Sequence, residues 1–101
     1  GFYDIELCMH SFHHYPRPLK SLRCMSRTLG RRGILIIVDN YYKGLKRLEQ
    51  NFDLYVNEYC YGDMWMYSAL ELTILTSMAG FYKQQYYKVG DKSFMFICQK
   101  R

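Results

Sequence analysis

All three histidines of the 101-residue chain, His10, His13 and His14, fall within five residues, and Cys8 stands just ahead of them. Imidazole titrates near neutrality, so His13 or His14 has the chemistry to take a proton from an acceptor group. The plainer reading of His14 is a helix-entry residue packing against Tyr15. Four potential metal ligands lie here, but Cys-x-His-x-x-His-His matches none of the common structural zinc spacings. A strand end followed by a short loop is also poorly placed to aim four ligands at one point, so no metal site is expected. Cys8, Cys24, Cys60 and Cys98 are far apart and form no Cys-x-x-Cys. They read as reduced thiols of a cytoplasmic protein rather than a disulfide framework.

Positioning these groups falls to a short series of elements. Residues 3–9 are a short apolar run that favours a strand. His10 to Pro18 is a loop holding two prolines, the second suited to the first turn of a helix. Leu19, Leu22, Met25, Ser26 and Leu29 recur at three and four residues on one helical face, and Gly30 is a natural stop. Ile34–Val38, five large apolar residues in succession, describe a strand over 33–39 that is buried on both faces, as in a helix-covered parallel sheet. Strand, helix, strand in this compass is a right-handed βαβ unit. A further helix is predicted over 43–59, with an aromatic connector at 61–67. Ser68 and Glu71 form a capping box for a helix ending at Gly80. Strands over 83–89 and 93–99 close a hairpin around Gly90-Asp91. The whole is one α/β domain, residues 1–101.

Net charge is +5, carried mainly by 17–32, 43–47 and 88–101. No run of five like charges occurs, and the cations are scattered around the helices. Solvated faces are therefore expected, and a nucleic-acid partner is not, since that would need a charged stripe interleaved with stacking aromatics. Eleven tyrosines suit strands and contact surfaces. No signal peptide is visible, and no apolar run approaches the roughly 20 residues of a membrane span.

The order of elements and several short motifs resemble the C-terminal half of a class I S-adenosylmethionine-dependent methyltransferase of the small-molecule type. Tyr3-Asp4-Ile5 followed by His13-His14-Tyr15-Pro16-Arg17-Pro18 is similar to that family's "FD-hydrophobic … HH-aromatic-P-x-P" segment. Leu29-Gly30-Arg31-Arg32-Gly33 is similar to its "L-(K/R)-P-G-G" turn, with Arg31-Arg32 in place of the usual proline-glycine. Ser68-x-x-Glu71 and Ala79-Gly80-Phe81 resemble the helix before its final hairpin. The resemblance implies a partial Rossmann-like sheet with strands in the order 4-5-7-6 of a 3-2-1-4-5-7-6 family sheet, strand 7 antiparallel, and flanking helices. It implies S-adenosyl-L-methionine as cofactor and a small-molecule methyl acceptor. Ligands of open α/β sheets bind outside the carboxyl ends of the strands, here Cys8-Met9-His10 and Asp39-Asn40-Tyr41.

By resemblance the backbone of Cys8, Met9 and His10 faces the methionine part of the cofactor. Phe12 and His13 lie beside the transferring methyl or the acceptor, His13 as candidate base. Phe12, Tyr41 and Trp65 are the substrate-side candidates. Phe52, Tyr55, Tyr59 and Tyr67 either line the same pocket or simply cover the sheet. The family's Gly-rich loop and the acidic residue that holds the cofactor ribose have no counterpart in these residues. The isolated chain is therefore expected to be inactive, with the open edge of residues 3–9 covered by the missing half or by a second copy. The alternative is a non-catalytic dimerising or regulatory remnant of the same fold.

Overall fold

The computed structural model describes residues 1–10, 12, 17–40 and 67–101. The helix expected over 43–59 lies outside them. The apolar run at Ile34–Val38 sits where such a run is cheapest, in the middle of a sheet. It belongs to β2 (Leu29–Asn40), which pairs in parallel with β1 (Tyr3–Met9). On its other side β2 pairs antiparallel with β4 (Ser93–Lys100), and β4 pairs antiparallel with β3 (Phe81–Val89). The order β1-β2-β4-β3 is the expected 4-5-7-6, with the last strand antiparallel to its neighbours.

Helix α1 (Pro18–Thr28) has Pro18 in its first turn and no side-chain cap. It is held instead by what it buries: Leu22 is fully enclosed, and Leu19 and Met25 pack against the core. Helix α2 (Ala69–Met78) starts at the expected capping box. The Glu71 N–H donates to Ser68 Oγ at 3.2 Å and the Ser68 N–H donates to Glu71 Oε1 at 2.8 Å. After α2 the chain reverses through Gly80, whose φ of 93° glycine adopts without cost. Leu22, Leu72, Leu35, Ile37, Phe94 and Phe96 meet in one core between the helices and one face of the sheet. Each such side chain stabilises by about 1.5–3 kcal/mol on burial.

Four expectations change. α1 ends at Thr28, not at Gly30, and β2 begins at Leu29, not at 33. Leu29 is fully buried and already extended (φ −75°, ψ 138°), so the chain enters the sheet as soon as that side chain is seated. The residues Gly30–Gly33 then bulge out, since Tyr3 aligns with Leu29 but Ile5 with Ile34. Arg32 adopts φ 60° in this bulge, and a Cβ at Gly33 would lie 2.9 Å from the Leu29 side chain. Third, β3 starts at Phe81, with a register shift between Tyr82 and Gln85 that puts Lys83 at φ 53°.

The fourth correction concerns burial. β2 is central in pairing, but the described helices cover one of its faces only. Leu35 and Ile37 are fully buried under the helices, whereas Ile34, Ile36 and Val38 on the other side are only partly buried. Ile5, Leu7 and Met9 of β1 lie opposite them and are 61, 59 and 54 % exposed. No described element packs on that face, and β1 has no partner on its outer edge among the described residues.

Candidate active site

β1 and β2 run in parallel, so their carboxyl ends open at the same end of the sheet. At the end of β1 the His10 N–H still donates to the Val38 carbonyl at 2.7 Å, after which a φ of 53° at His10 turns the chain out of the sheet. At the end of β2 stands Asp39, a carboxylate only 3 % exposed, with the Asn40 N–H donating to its Oδ1 at 2.8 Å. Asp39 follows Leu35 and Ile37 in the side-chain alternation and therefore points to the helix side.

Two aromatic rings join it there. Phe12 is 1 % exposed and packs at 5.1 Å and 58° against the ring of Tyr67. Tyr67 stands just before α2. Burial, and then the negative charges of Glu71 and Asp39, push its phenol up from 10 to about 12. At neutral pH it therefore keeps its proton, and it offers a hydrogen-bond donor rather than a base. The assembled group is a buried cluster at the carboxyl ends of two parallel strands, two aromatic rings with the Asp39 and Glu71 carboxylates near the Tyr67 phenol.

The fold thus brings together Cys8, Phe12, Asp39, Tyr67 and Glu71. Cys8 is buried on the helix side, Met9 points to the bare face, and His10 is exposed. Cys24 and Cys98 are free thiols. His13, Tyr41 and Trp65 lie outside the described residues. Sequence reasoning marks Asp39 only as a strand end and Glu71 only as a cap. The available signal is an aspartate directly behind five apolar residues of one strand, where it must be buried or sit at a site. Among the described residues no group of three or more His, Cys, Asp or Glu could hold a metal ion. No helix among them is long and apolar enough to cross a membrane.

No family model matches the sequence, and no curated protein sequence matches it. Solved structures do match in three dimensions. PigF with SAH superposes on all of this chain with a TM-score of 0.78 and 20% identity, the chain spanning 31% of that protein. Human N-acetylserotonin methyltransferase in complex with SAM gives 0.78 and 15%, over 96% of this chain and 29% of that one. A SAM-dependent methyltransferase from Thermotoga maritima, described as a possible histamine N-methyltransferase, gives 0.72 and 20%, over 97% and 56% respectively. At these identities the likeness is one of fold: the sheet and its two helices are part of a Rossmann-like methyltransferase fold. The chain spans between 29 and 56% of the three structures it is set against.

Proposed function

We propose that this chain is the acceptor-side half of a S-adenosyl-L-methionine-dependent methyltransferase acting on a small molecule, and that it works only with a polypeptide supplying the cofactor loop. The observation that carries the reading is the buried cluster of Phe12, Tyr67 and Asp39 at the carboxyl ends of β1 and β2, next to a strand edge that has no partner among the described residues. The methyltransferase structures of like fold support it, as does one feature of β1. The Glu6 carboxylate accepts a hydrogen bond from Thr28 through Oε1, while its Oε2 is buried with no hydrogen-bond partner. A buried, unsatisfied carboxylate oxygen beside an open edge is costly until a donor arrives from whatever lies alongside.

Methyl transfer from a sulfonium is an in-line displacement, and the protein's task is to align donor and acceptor and exclude water. S-adenosyl-L-methionine, when bound, supplies the methyl group on that sulfonium. The residues present fit one wall of such a site: the uncapped end of β1 at Cys8, Met9 and His10 would hold the methionine part. Phe12 and Tyr67 shape the acceptor side, with Tyr41 and Trp65 proposed there too. His13 is the proposed base for an acceptor that must lose a proton. Tyr67, protonated at neutral pH, orients the acceptor by donating a hydrogen bond. The bare sheet face also favours a second reading, a non-catalytic remnant that pairs with another subunit.

Calorimetric titration of S-adenosyl-L-methionine separates the two readings. The chain alone should give no heat. A longer polypeptide with this chain as its C-terminal part and a glycine-rich loop ahead of it should bind at micromolar concentration. His13→Ala in that polypeptide should then slow transfer about 100-fold or more while leaving cofactor binding intact. Absence of cofactor binding by the longer polypeptide would overturn the enzymatic reading.

A further inference from the structure

β1 carries two carboxylates and no lysine or arginine. Asp4 is exposed and Glu6 is partly buried, and both alternate with Cys8, which puts them on the helix side. The Glu6 carboxylate lies against the carboxyl end of α1, where Thr28 is the last residue. Its Oε1 accepts from the Thr28 hydroxyl, but that hydroxyl oxygen also stands 2.9 Å from the Met25 carbonyl. A hydroxyl has one proton to give, so the two acceptors compete for it. Oε2 is buried and has no hydrogen-bond partner among the described residues.

The position is unfavourable for an anion on two counts. The carboxylate has given up water without a full set of donors. It also faces the end of a helix, which carries roughly half an elementary negative charge of its own. The described cations at this end of α1 do not meet the need. Arg27, in the last turn, is exposed, and Lys100 Nζ donates to the Leu29 carbonyl at 2.7 Å. A neutral donor from elsewhere would satisfy Oε2 and leave the helix end unopposed, whereas a lysine or arginine does both.

We propose that Glu6 is one half of a buried ion pair, completed by a lysine or arginine of the polypeptide that lies along the outer edge of β1. The inference rests on the completing polypeptide proposed above and assigns it a charged side chain at this position. Such a pair also fixes register, because a slip of one residue turns the cation to the other face of the sheet. A second copy paired β1 to β1 is a poorer source, since Tyr3–Met9 would bring Asp4 and Glu6 against their own likes.

The test uses the chain and two short extended peptides of alternating valine and threonine, identical except that a central lysine in one is norleucine in the other. With anisotropy as the readout, the lysine peptide should bind about tenfold tighter or more. The net charge of +5 works against that order, so general attraction does not produce it. Glu6→Gln should abolish the preference and leave the affinity for the norleucine peptide unchanged. Without peptide, Glu6→Leu should raise the thermal midpoint by about 4 °C or more, because it removes a buried charge that lacks its partner. A lowered or unmoved midpoint would show that the carboxylate is already satisfied within the chain, and overturns the proposal. So do equal binding, preference for norleucine, binding of neither peptide, or a lysine preference that survives Glu6→Gln. No readout here involves cofactor. A lysine preference, with a longer polypeptide that binds no S-adenosyl-L-methionine, retires the methyltransferase reading and keeps the ion pair; cofactor binding with no lysine preference does the reverse.

Discussion

One sheet presents two faces built from nearly the same residue types, and only one of them is a core. Toward α1 and α2, Leu35, Ile37, Phe94 and Phe96 are 0–2 % exposed. On the opposite face Ile5, Leu7 and Met9 keep more than half their surface in water. The difference lies in what packs on them, not in their hydrophobicity. A strand with apolar residues on both faces asks for two layers of cover, and the described chain supplies one. Burial is therefore a property of the assembly, and the covered face is where stability should reside.

That contrast is most easily broken by deleting side chains on the covered face. Phe96→Ala, under the helices, should cost about 3–5 kcal/mol in denaturant unfolding, the usual toll of a large aromatic removed from a packed core. A cost below about 1 kcal/mol would mean that this face is no better packed than the other.

Alkali probes the same face by a different route. Cys98 sits on β4 under the helices, and burial pushes its thiol up from 9.0 to about 12. Tyr67 is pushed from 10 to about 12. Both groups hold their protons more tightly when folded. Their contribution is therefore fully present below the unfolded pKa values and is lost as pH rises through the folded ones. Stability should begin to fall near pH 9 and continue falling to about pH 12. Cys98→Ala, measured against its own lower baseline, should move the onset to near pH 10. An unchanged onset would show that Cys98 is not the titrating group. In native protein Cys24, which is exposed, should alkylate well before Cys8 and Cys98.

Much of this was legible in the residues. Five apolar residues at Ile34–Val38 mark the central strand, and Ser68 with Glu71 mark the start of α2, because both signals are local. The early start of β2 is not local: Leu29 continues the helical stripe of α1 and becomes a strand residue only because its side chain seats in the core. The bulge at Lys83 has no marker, since nothing in Tyr-Lys-Gln-Gln announces a left-handed lysine. Burial on both faces of β2 was the natural reading of an unbroken apolar run, yet periodicity reports what a face wants and not what lies on it. At the carboxyl ends of the strands, Phe12 is singled out by the resemblance and Glu71 is near Tyr67 in sequence, whereas Asp39 meets Tyr67 only through the fold.

A gentler test addresses what holds the cover in place. Ser68→Ala removes the acceptor that satisfies the Glu71 N–H and should cost about 1 kcal/mol. The loss should appear mainly as faster exchange of the first-turn amides of α2, with the β1–β2 ladder unaffected. Equal loosening of β1 would mean that the two helices and the sheet open as one unit.

The smallest effect is expected on the bare face, and there it is the most informative. Leu7→Thr trades a 59 % exposed leucine for a β-branched polar residue of good strand propensity. In a monomer its stability should stay within about 0.5 kcal/mol of the parent, as for surface substitutions generally. A loss of 2 kcal/mol or more that grows with protein concentration would show that Leu7 is buried in solution by another copy of the chain. The asymmetry between the faces would then belong to the isolated subunit alone. A negligible loss at every concentration leaves the face free, and a leucine that contributes little to its own fold is then available to stabilise a complex.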